Sequence, residues 1–257
     1  GATGQDLRVE FTIADVGVNF SGETVGVEHL VLAGDFLDMG RLSHWGAGPE
    51  GTHAPVQREL EIAQTIIVSA LDKGWKLWWI AGNHEIRMFR ITLQELGMWT
   101  LAEMVGRPEN LAVSEMAALR VKGWGKIIHP ATRSKVPLAA VYELVDIHGC
   151  SLMSTHGHHW GQTWSKGGNY QVIEIGTTCD ANRIHYKQSR ITRHAQWQQG
   201  FAVIVPHAQT GEPWAWLLHP SMPLEALATS YRDTVKQRAW TRSPRPTKVK
   251  HGTTTSK

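Results

Sequence analysis

Four short apolar segments of this chain each end in residues of the types that bind metal ions. The segments span residues 29–35, 77–85, 125–129 and 152–158, and they end at Asp35, at Asn83 with His84, at His129, and at His156 with His158. Short apolar runs bounded by glycine are typical of buried strands. Open α/β sheets carry their chemistry beyond the carboxyl ends of the strands. The sequence therefore predicts an α/β fold in which four strands deliver these side chains to one edge, where they could hold two divalent cations.

The order of these motifs resembles that of a known family. Gly34-Asp35-Phe36-Leu37-Asp38 is followed by Gly82-Asn83-His84-Glu85, then by His129, and then by His156-Gly157-His158. This order is similar to that of the calcineurin-like metallophosphoesterase superfamily. The segment Glu85-Ile86-Arg87 and the Trp-Gln-Gln-Gly-Phe segment at 197–201 resemble its small phage and bacterial type. The resemblance covers residues 11–205 and implies two stacked mixed β-sheets flanked by helices, in a four-layer sandwich.

Two motifs depart from the family pattern. The first family motif is D-x-H, and it would fall at Asp15, the end of a predicted strand over residues 11–15. Gly17 stands at the histidine position, and only 19 residues separate Asp15 from Asp35. Thr155 stands where the family has a glycine before the His-x-His pair. The resemblance therefore implies one complete metal site and a second site that lacks a ligand.

The ligand sets are those that the resemblance implies. Asp35, Asn83, His129 and His156 would bind one cation, and Asp15, Asp35 and His158 would bind the other, with Asp35 as the bridge. Divalent ions accept carboxylate, amide oxygen and neutral imidazole together. Manganese is the expected metal, with zinc, iron, nickel or magnesium as alternatives. The incomplete site should bind its metal more weakly, or use water or a side chain such as His44 as the replacement ligand.

The resemblance also assigns catalytic roles. A metal-activated hydroxide would attack phosphorus, and His84 would protonate the leaving oxygen as the general acid. Asp38 is expected to orient His84, and Glu85 to steady the loop that carries the ligands. Arg87 is a candidate substrate contact because a guanidinium group matches phosphate oxygens, although it could equally be a surface ion-pair residue. His44 lies in a loop near the expected cleft and is a second candidate contact.

The proposed ligands also have purely structural interpretations. Asp35 and Asn83 could be helix-cap or turn residues, and His129 could be a structural histidine in a loop. His156 and His158 alternate along an extended segment and so face the same side, which favours shared ligation. Taken together in this order, the residues favour the metal site over the structural alternatives.

Two classes of function remain open from the sequence. The first is a metal-dependent phosphoesterase acting on a phosphodiester or a phosphomonoester, with nucleic acid or nucleotides as the favoured substrates. The alternative is a binding or structural protein that keeps the fold but has lost a metal, which Gly17 favours. The His84–Asp38 pair argues against the alternative, because a scaffold has no need of a general acid.

Composition and charge divide the chain into two parts. Residues 1–231 carry 18 basic and 22 acidic side chains and are expected to form one domain, whereas residues 232–257 carry eight basic side chains and one acidic one. The basic tail is expected to be disordered, as a solvated end or as a nonspecific nucleic-acid contact.

The N-terminus lacks a signal-peptide pattern, and no apolar stretch approaches the ~18–20 residues of a membrane span. Two cysteines, Cys150 and Cys179, give no disulfide framework, so a cytoplasmic setting is expected.

Periodicity predicts the remaining elements. The expected helices span residues 55–71, 91–104 and 135–147, the expected later strands span 171–176, 201–205 and 214–218, and 106–123 is expected to be a helix-loop insert. The last two strands are expected to pair with each other. Trp160 and Trp164 could line the cleft, although packing is the favoured interpretation. The oligomeric state is left open.

Overall fold

A computed structural model describes the central part of the chain. The described residues are 19–20, 23–24, 28–43, 54–106, 109–179, 197–206 and 212–219. The predicted strand at 11–15, with Asp15 and Gly17, lies outside them, as do His44 and the basic tail.

The described residues form a mixed α/β fold. Its strands are β1 (Asn19–Phe20), β2 (Glu23–Thr24), β3 (His29–Ala33), β4 (Lys76–Ile80), β5 (Leu111–Ser114), β6 (Ala118–Val121), β7 (Gly125–Ile128), β8 (Ser151–Ser154), β9 (Trp160–Trp164), β10 (Gln171–Ile175), β11 (Phe201–Pro206) and β12 (Pro213–Leu218). Its helices are α1 (Val56–Asp72), α2 (Glu85–Ile91), α3 (Met98–Met104) and α4 (Ala139–His148), with a 3-10 turn at Gly40–Leu42. The strands form a three-stranded sheet, a five-stranded sheet and two hairpins, β1–β2 and β11–β12.

The three-stranded sheet carries the first two ligand segments. Its order is β3-β4-β5, and all three strands are parallel. The predicted helix at 55–71 is confirmed as α1, whose buried residues Leu60, Ala63, Ile67 and Ala70 form one helical stripe. This stripe belongs to the same core cluster as β4 residues such as Trp79. Because β3 and β4 run parallel, Asp35 and the 82–85 loop emerge at the same sheet edge.

The five-stranded sheet carries the other two ligand segments. Its order is β6-β7-β8-β10-β9. Strand β8 lies between β7 and β10 and pairs with both in parallel orientation. His129 and the loop at 155–158 therefore follow the carboxyl ends of adjacent strands. On one face, Ile128, Leu152 and Val172 pack with Val141 and Val145 of α4.

The opposite face of this sheet packs against the three-stranded sheet. Ile127, Met153 and Ile173 share a core cluster with Ile80 of β4, and Val31 of β3 packs against that cluster. Successive residues of a strand point to opposite faces, so apolar neighbours in β7, β8 and β10 fill two different cores. Burial on both faces explains why each of these strands carries two adjacent apolar residues instead of a strict alternation of apolar and polar ones.

The hairpin at the end of the described chain matches its prediction. β11 and β12 pair antiparallel from Phe201↔Leu218 to Pro206↔Pro213. Gln171 of β10 attaches this hairpin to the five-stranded sheet: its side-chain Oε1 accepts hydrogen bonds from Ala215 N (3.2 Å) and from Trp124 Nε1 (2.7 Å), and its Nε2 donates to Ala215 O (3.2 Å).

Two local predictions are wrong, and one strand was not predicted. The helix expected at 91–104 is two helices, α2 and α3, separated by a turn in which Leu93 and Gln94 have φ values of 50° and 68°. The helix-loop insert expected at 106–123 contains strands β5 and β6, whose pairing with β4 and β7 overrides weak local propensity. The edge strand β9 was not expected, because Gly161-Gln162-Thr163 interrupts its apolar pattern.

Candidate metal centre

Tight backbone turns bring the strand ends together. Asp35 follows β3 with a φ of 54°, and Gly34 before it has a φ of 84°. A Cβ at Gly34 would lie 2.5 Å from Nδ1 of the His129 ring, and a Cβ at Gly82 would overlap the backbone nitrogen of Asp35. Both positions therefore require glycine if the two loops and His129 are to approach this closely.

Three polar side chains converge on the Nε2 atom of His129. This nitrogen lies 3.2 Å from Asp35 Oδ2, 3.1 Å from Asn83 Oδ1 and 3.0 Å from His156 Nδ1. Asp35, His129 and His156 each offer a ligand atom, and these atoms all lie within 4.8 Å of one another. The four residues that the sequence grouped as one metal site are thus adjacent in space, and the Asp-His-His group could hold a metal ion.

The electrostatics of the cluster suit a cation. Burial by itself would raise the pKa of Asp35, but the hydrogen bond with His129 and the neighbouring His84 together hold it below its usual range. Burial, with the adjacent His129, lowers the pKa of His156 to about 4. Burial would also lower the pKa of His129, but the hydrogen bond and charge of Asp35 outweigh it and raise that pKa. Near neutral pH Asp35 is ionised and His156 is neutral, which are the states in which these groups bind metals.

The three distances measured from His129 Nε2 suit one coordination sphere. Nitrogen and oxygen ligands bound at about 2.1 Å in tetrahedral or octahedral geometry lie roughly 3.0–3.4 Å from one another. The three separations measured from His129 Nε2 fall in or near that range. One carboxylate, one amide and two imidazoles form a donor set that suits borderline divalent cations. The residues therefore fit the metal that the sequence motifs imply.

His84 lies beside the cluster and is paired with Asp38. Its Nδ1 lies 3.2 Å from Asp38 Oδ1, and its Nε2 lies 3.7 Å from Asp35 Oδ2. The backbone nitrogen of His84 donates to Asp35 Oδ1 at 2.9 Å. Arg87 donates through Nη1 to the backbone oxygen of Asp38 at 2.6 Å. Arg87 thus holds the loop that carries Asp38.

Glu85 joins the two loops of the three-stranded sheet. Its carboxylate is fully buried and accepts hydrogen bonds from the backbone nitrogens of Asp35 (2.9 Å), Leu37 (3.0 Å) and Gly82 (2.8 Å). Burial is the main cause of the raised pKa of Glu85, and the nearby charge of Asp35 adds to it. The backbone positions of Asp35 and of the 82–85 loop are therefore fixed relative to each other through one side chain.

His158 is half-buried beside the cluster. It lies in the loop after β8 with a φ of 58°, so the expectation that His156 and His158 alternate along an extended segment is wrong. Its ring centroid lies 4.1 Å from that of Trp197, and its Nδ1 is buried without a hydrogen-bond partner. Burial lowers the pKa of His158 to about 3. Gln198 N donates to the backbone oxygen of His158 at 3.0 Å, so the 197–201 segment packs directly on the His-x-His loop. Of the second predicted ligand set, Asp35 and His158 are described, whereas Asp15 is outside the described residues.

Sequence reasoning missed one buried acid that supports the His-x-His loop. Glu174 of β10 is almost fully buried, and it accepts a hydrogen bond from Leu138 N at 2.5 Å. Its carboxylate lies 3.3 Å from Nδ1 of the buried His159, at an angle that makes no hydrogen bond. A Cβ at Gly157 would collide with the same carboxylate. The signal in the sequence was an acidic residue inside the apolar run Gln-Val-Ile-Glu-Ile.

Comparison with protein-family models and with curated proteins identifies no relative of this chain. No protein-family model and no curated protein matches this chain. Within the described ranges, no helix is both long and apolar enough to cross a membrane.

Proposed function

We propose that this protein is a metal-dependent phosphoesterase that hydrolyses a phosphodiester or a phosphomonoester. The observation that carries the proposal is the convergence of Asp35, Asn83, His129 and His156 on one point, with the His84–Asp38 pair beside them. A structural role alone would not require four ligand-type side chains from two different sheets to crowd together.

The proposed ligands follow the motif order. Asp35, Asn83, His129 and His156 would hold one divalent cation, and Asp35 would bridge to a second held by His158 and Asp15. Manganese is the metal we expect. When bound, such a pair of cations neutralises charge on the phosphoryl group and supplies a nucleophilic hydroxide near neutral pH.

His84 is proposed as the general acid. Asp38 lies within hydrogen-bonding range of its Nδ1 and so orients the ring, with Nε2 directed toward the Asp35 carboxylate. From this position Nε2 can donate a proton to the leaving oxygen of a phosphate ester. A positioned general acid typically contributes about 10²–10⁴-fold to the rate.

The packing of the sheets supports the proposed family architecture. Helices α1 and α3 share one core with the three-stranded sheet, the two sheets share a second, and α4 shares a third with the five-stranded sheet. This order of cores is the one expected of a four-layer sandwich. Nucleotides or nucleic acid are the substrates we favour, and the basic residues 232–257 are a proposed nucleic-acid contact.

Hydrolysis of an aryl phosphodiester and an aryl phosphomonoester, with and without added Mn²⁺, tests the proposal. We expect Mn²⁺-dependent turnover in the unmodified protein and a metal content of at least one per chain. Asp35→Asn should lose both turnover and metal. His148→Ala is the matched control, because His148 is exposed and precedes β8 at the opposite end of that strand from the site. Tightly bound metal with no turnover on either substrate would instead support the binding or structural alternative.

A further inference from the structure

The hydroxyl of Thr155 lies between the two sheets, next to the cluster. Its Oγ1 donates a hydrogen bond to the backbone oxygen of Ala33, at 2.5 Å, and lies 2.9 Å from Nδ1 of His129. Ala33 ends β3 of the three-stranded sheet, whereas Thr155 follows β8 of the five-stranded sheet. One hydroxyl therefore connects both sheets to the ring at the centre of the site.

Counting protons assigns the direction of these hydrogen bonds. A hydroxyl has a single proton, and a carbonyl oxygen can only accept. With the Thr155 proton donated to Ala33 O, the hydroxyl oxygen can only accept from His129. The Nδ1 atom of His129, which also lies 3.3 Å from the backbone oxygen of Ala33, must then carry a proton. In the neutral ring, Nε2 is therefore the unprotonated nitrogen that faces Asp35 Oδ2, Asn83 Oδ1 and His156 Nδ1.

We infer that Thr155 is a positioning residue that holds His129 with its proton on Nδ1 and so presents Nε2 as the metal ligand. The inference rests on the proposed metal centre. A metal-binding histidine commonly donates its other ring N–H to a fixed acceptor, and losing that acceptor typically weakens metal binding about 10–100-fold. The glycine of the resembling family has no hydroxyl to offer, so this bond belongs to the present chain.

Three variants distinguish the effect of losing the Thr155 hydroxyl from the effect of changing the shape of its side chain. Thr155→Val keeps the branched shape but removes the hydroxyl, whereas Thr155→Ser keeps the hydroxyl. Thr65→Val is the matched control, because the exposed Thr65 hydroxyl donates only to Glu61 O within α1. We expect the Mn²⁺ dissociation constant, measured by equilibrium dialysis, to rise about 10–100-fold in Thr155→Val. The Mn²⁺ dissociation constants of Thr155→Ser and Thr65→Val should stay within about threefold of that of the unmodified protein, a much smaller change than the one expected for Thr155→Val.

A second measurement does not depend on metal. Nitrogen-15 NMR of the metal-free protein, at a pH where the His129 ring is neutral, reports which ring nitrogen carries the proton. We expect the proton on Nδ1, and a proton found on Nε2 alone would overturn the inference. Unchanged Mn²⁺ affinity in a folded Thr155→Val protein, verified by its thermal melt, would also overturn it. If the unmodified protein bound no metal at all, the proposed metal centre would fail, while the NMR result would still decide the role of Thr155.

Discussion

The surroundings of His129 and His84 suit the two rings to different chemical roles. His129 has an acceptor at Nδ1 and three ligand-type atoms about 3 Å from Nε2, whereas His84 has the Asp38 carboxylate at Nδ1 and only the more distant Asp35 Oδ2, at 3.7 Å, facing Nε2 among the described residues. A ring nitrogen closely surrounded by ligand atoms is suited to binding a cation, and a ring that one carboxylate holds through Nδ1 is suited to moving a proton through Nε2. The same residue type can therefore serve as ligand and as acid in one site.

Removing the proposed acid should slow turnover without removing metal. We expect His84→Ala to reduce kcat on substrates with poor leaving groups by about 10²–10⁴-fold, because the leaving oxygen then departs unprotonated. Metal content, measured by elemental analysis, should stay close to that of the unmodified protein. Full activity of this variant on a poor leaving group would show that His84 is not the acid.

Glu59 should make the stability of the fold depend on pH. Burial, with Asp38 nearby, raises the pKa of Glu59 from 4.5 to about 7, although the hydrogen bond from Met39 N opposes this. Between these two values the folded chain keeps a proton that the unfolded chain has lost, so stability falls as the pH rises through this window.

We expect Glu59→Gln to gain stability relative to the unmodified protein as the pH increases from 5 to 8. The gain should be about 1–2 kcal/mol once solvent screening of this half-buried group is allowed for. Urea denaturation at both pH values measures it, with the exposed Glu61→Gln on the same helix as the control. If Glu59→Gln changed the free energy of unfolding equally at the two pH values, the raised pKa of Glu59 would be contradicted.

At the scale of the elements, the loop after β8 packs against one buried acid. The His-x-His loop rests on Glu174 of β10, whose carboxylate also accepts the hydrogen bond of Leu138 N at the start of α4. Strand β10, the loop and α4 therefore share one buried acid. On the other side of the loop, the 197–201 segment packs through Trp197 against His158.

Loss of this acid should weaken both the fold and the site. We expect Glu174→Ala to lower the free energy of unfolding by about 1–3 kcal/mol, because it leaves the backbone nitrogen of Leu138 without its acceptor. Glu174→Gln should cost less, since its amide oxygen can still accept from Leu138 N. Urea denaturation measures the difference, and the exposed Glu143→Ala on α4 serves as the control. A Glu174→Ala protein as stable as the control would show that the carboxylate supports nothing.

At the scale of the whole molecule, the site exists because two sheets pack face to face with their ligand-bearing ends together. The core between them includes Ile80, Ile127, Met153 and Ile173. Each sheet contributes two of the four converging side chains, so neither sheet alone contains the cluster.

Metal stoichiometry tests the incomplete second ligand set. Gly17 stands where the resembling family has a metal-binding histidine. We therefore expect one metal to survive dialysis and a second to be retained only with added Mn²⁺. Gly17→His should tighten the second site and raise activity at limiting metal, as counted by elemental analysis. Two equally tight metals in the unmodified protein would mean that another ligand replaces the missing histidine.

The basic tail can be tested by truncation. Removing residues 232–257 should leave the hydrolysis of small substrates unchanged, because the tail lacks apolar periodicity. If the tail binds nucleic acid, truncation should weaken that binding and flatten its dependence on salt. Fluorescence anisotropy with a labelled oligonucleotide at several salt concentrations measures both effects. Unchanged binding at low salt would identify the tail as a solvated end.

The sequence alone determined the elements whose signals are local. Short apolar runs followed by a ligand-type residue predicted β3, β4, β7 and β8, and the helical stripe predicted α1. The same runs predicted that Asp35, Asn83, His129 and His156 lie at one sheet edge, and the resemblance grouped them as one ligand set. Parallel pairing explains the neighbours within each sheet, but the structure divides the four residues between two sheets. The resemblance supplied the pairing of His84 with Asp38.

Only the tertiary structure decided the features that depend on distant partners. β5, β6 and β9 have weak local patterns and form because neighbouring strands satisfy their backbone hydrogen bonds. Thr155 and Glu174 gain their roles from groups that lie far away in sequence, at Ala33 and Leu138. A hydrogen bond between remote residues leaves no periodic trace in the chain, because its energy depends on where packing places the donor and the acceptor.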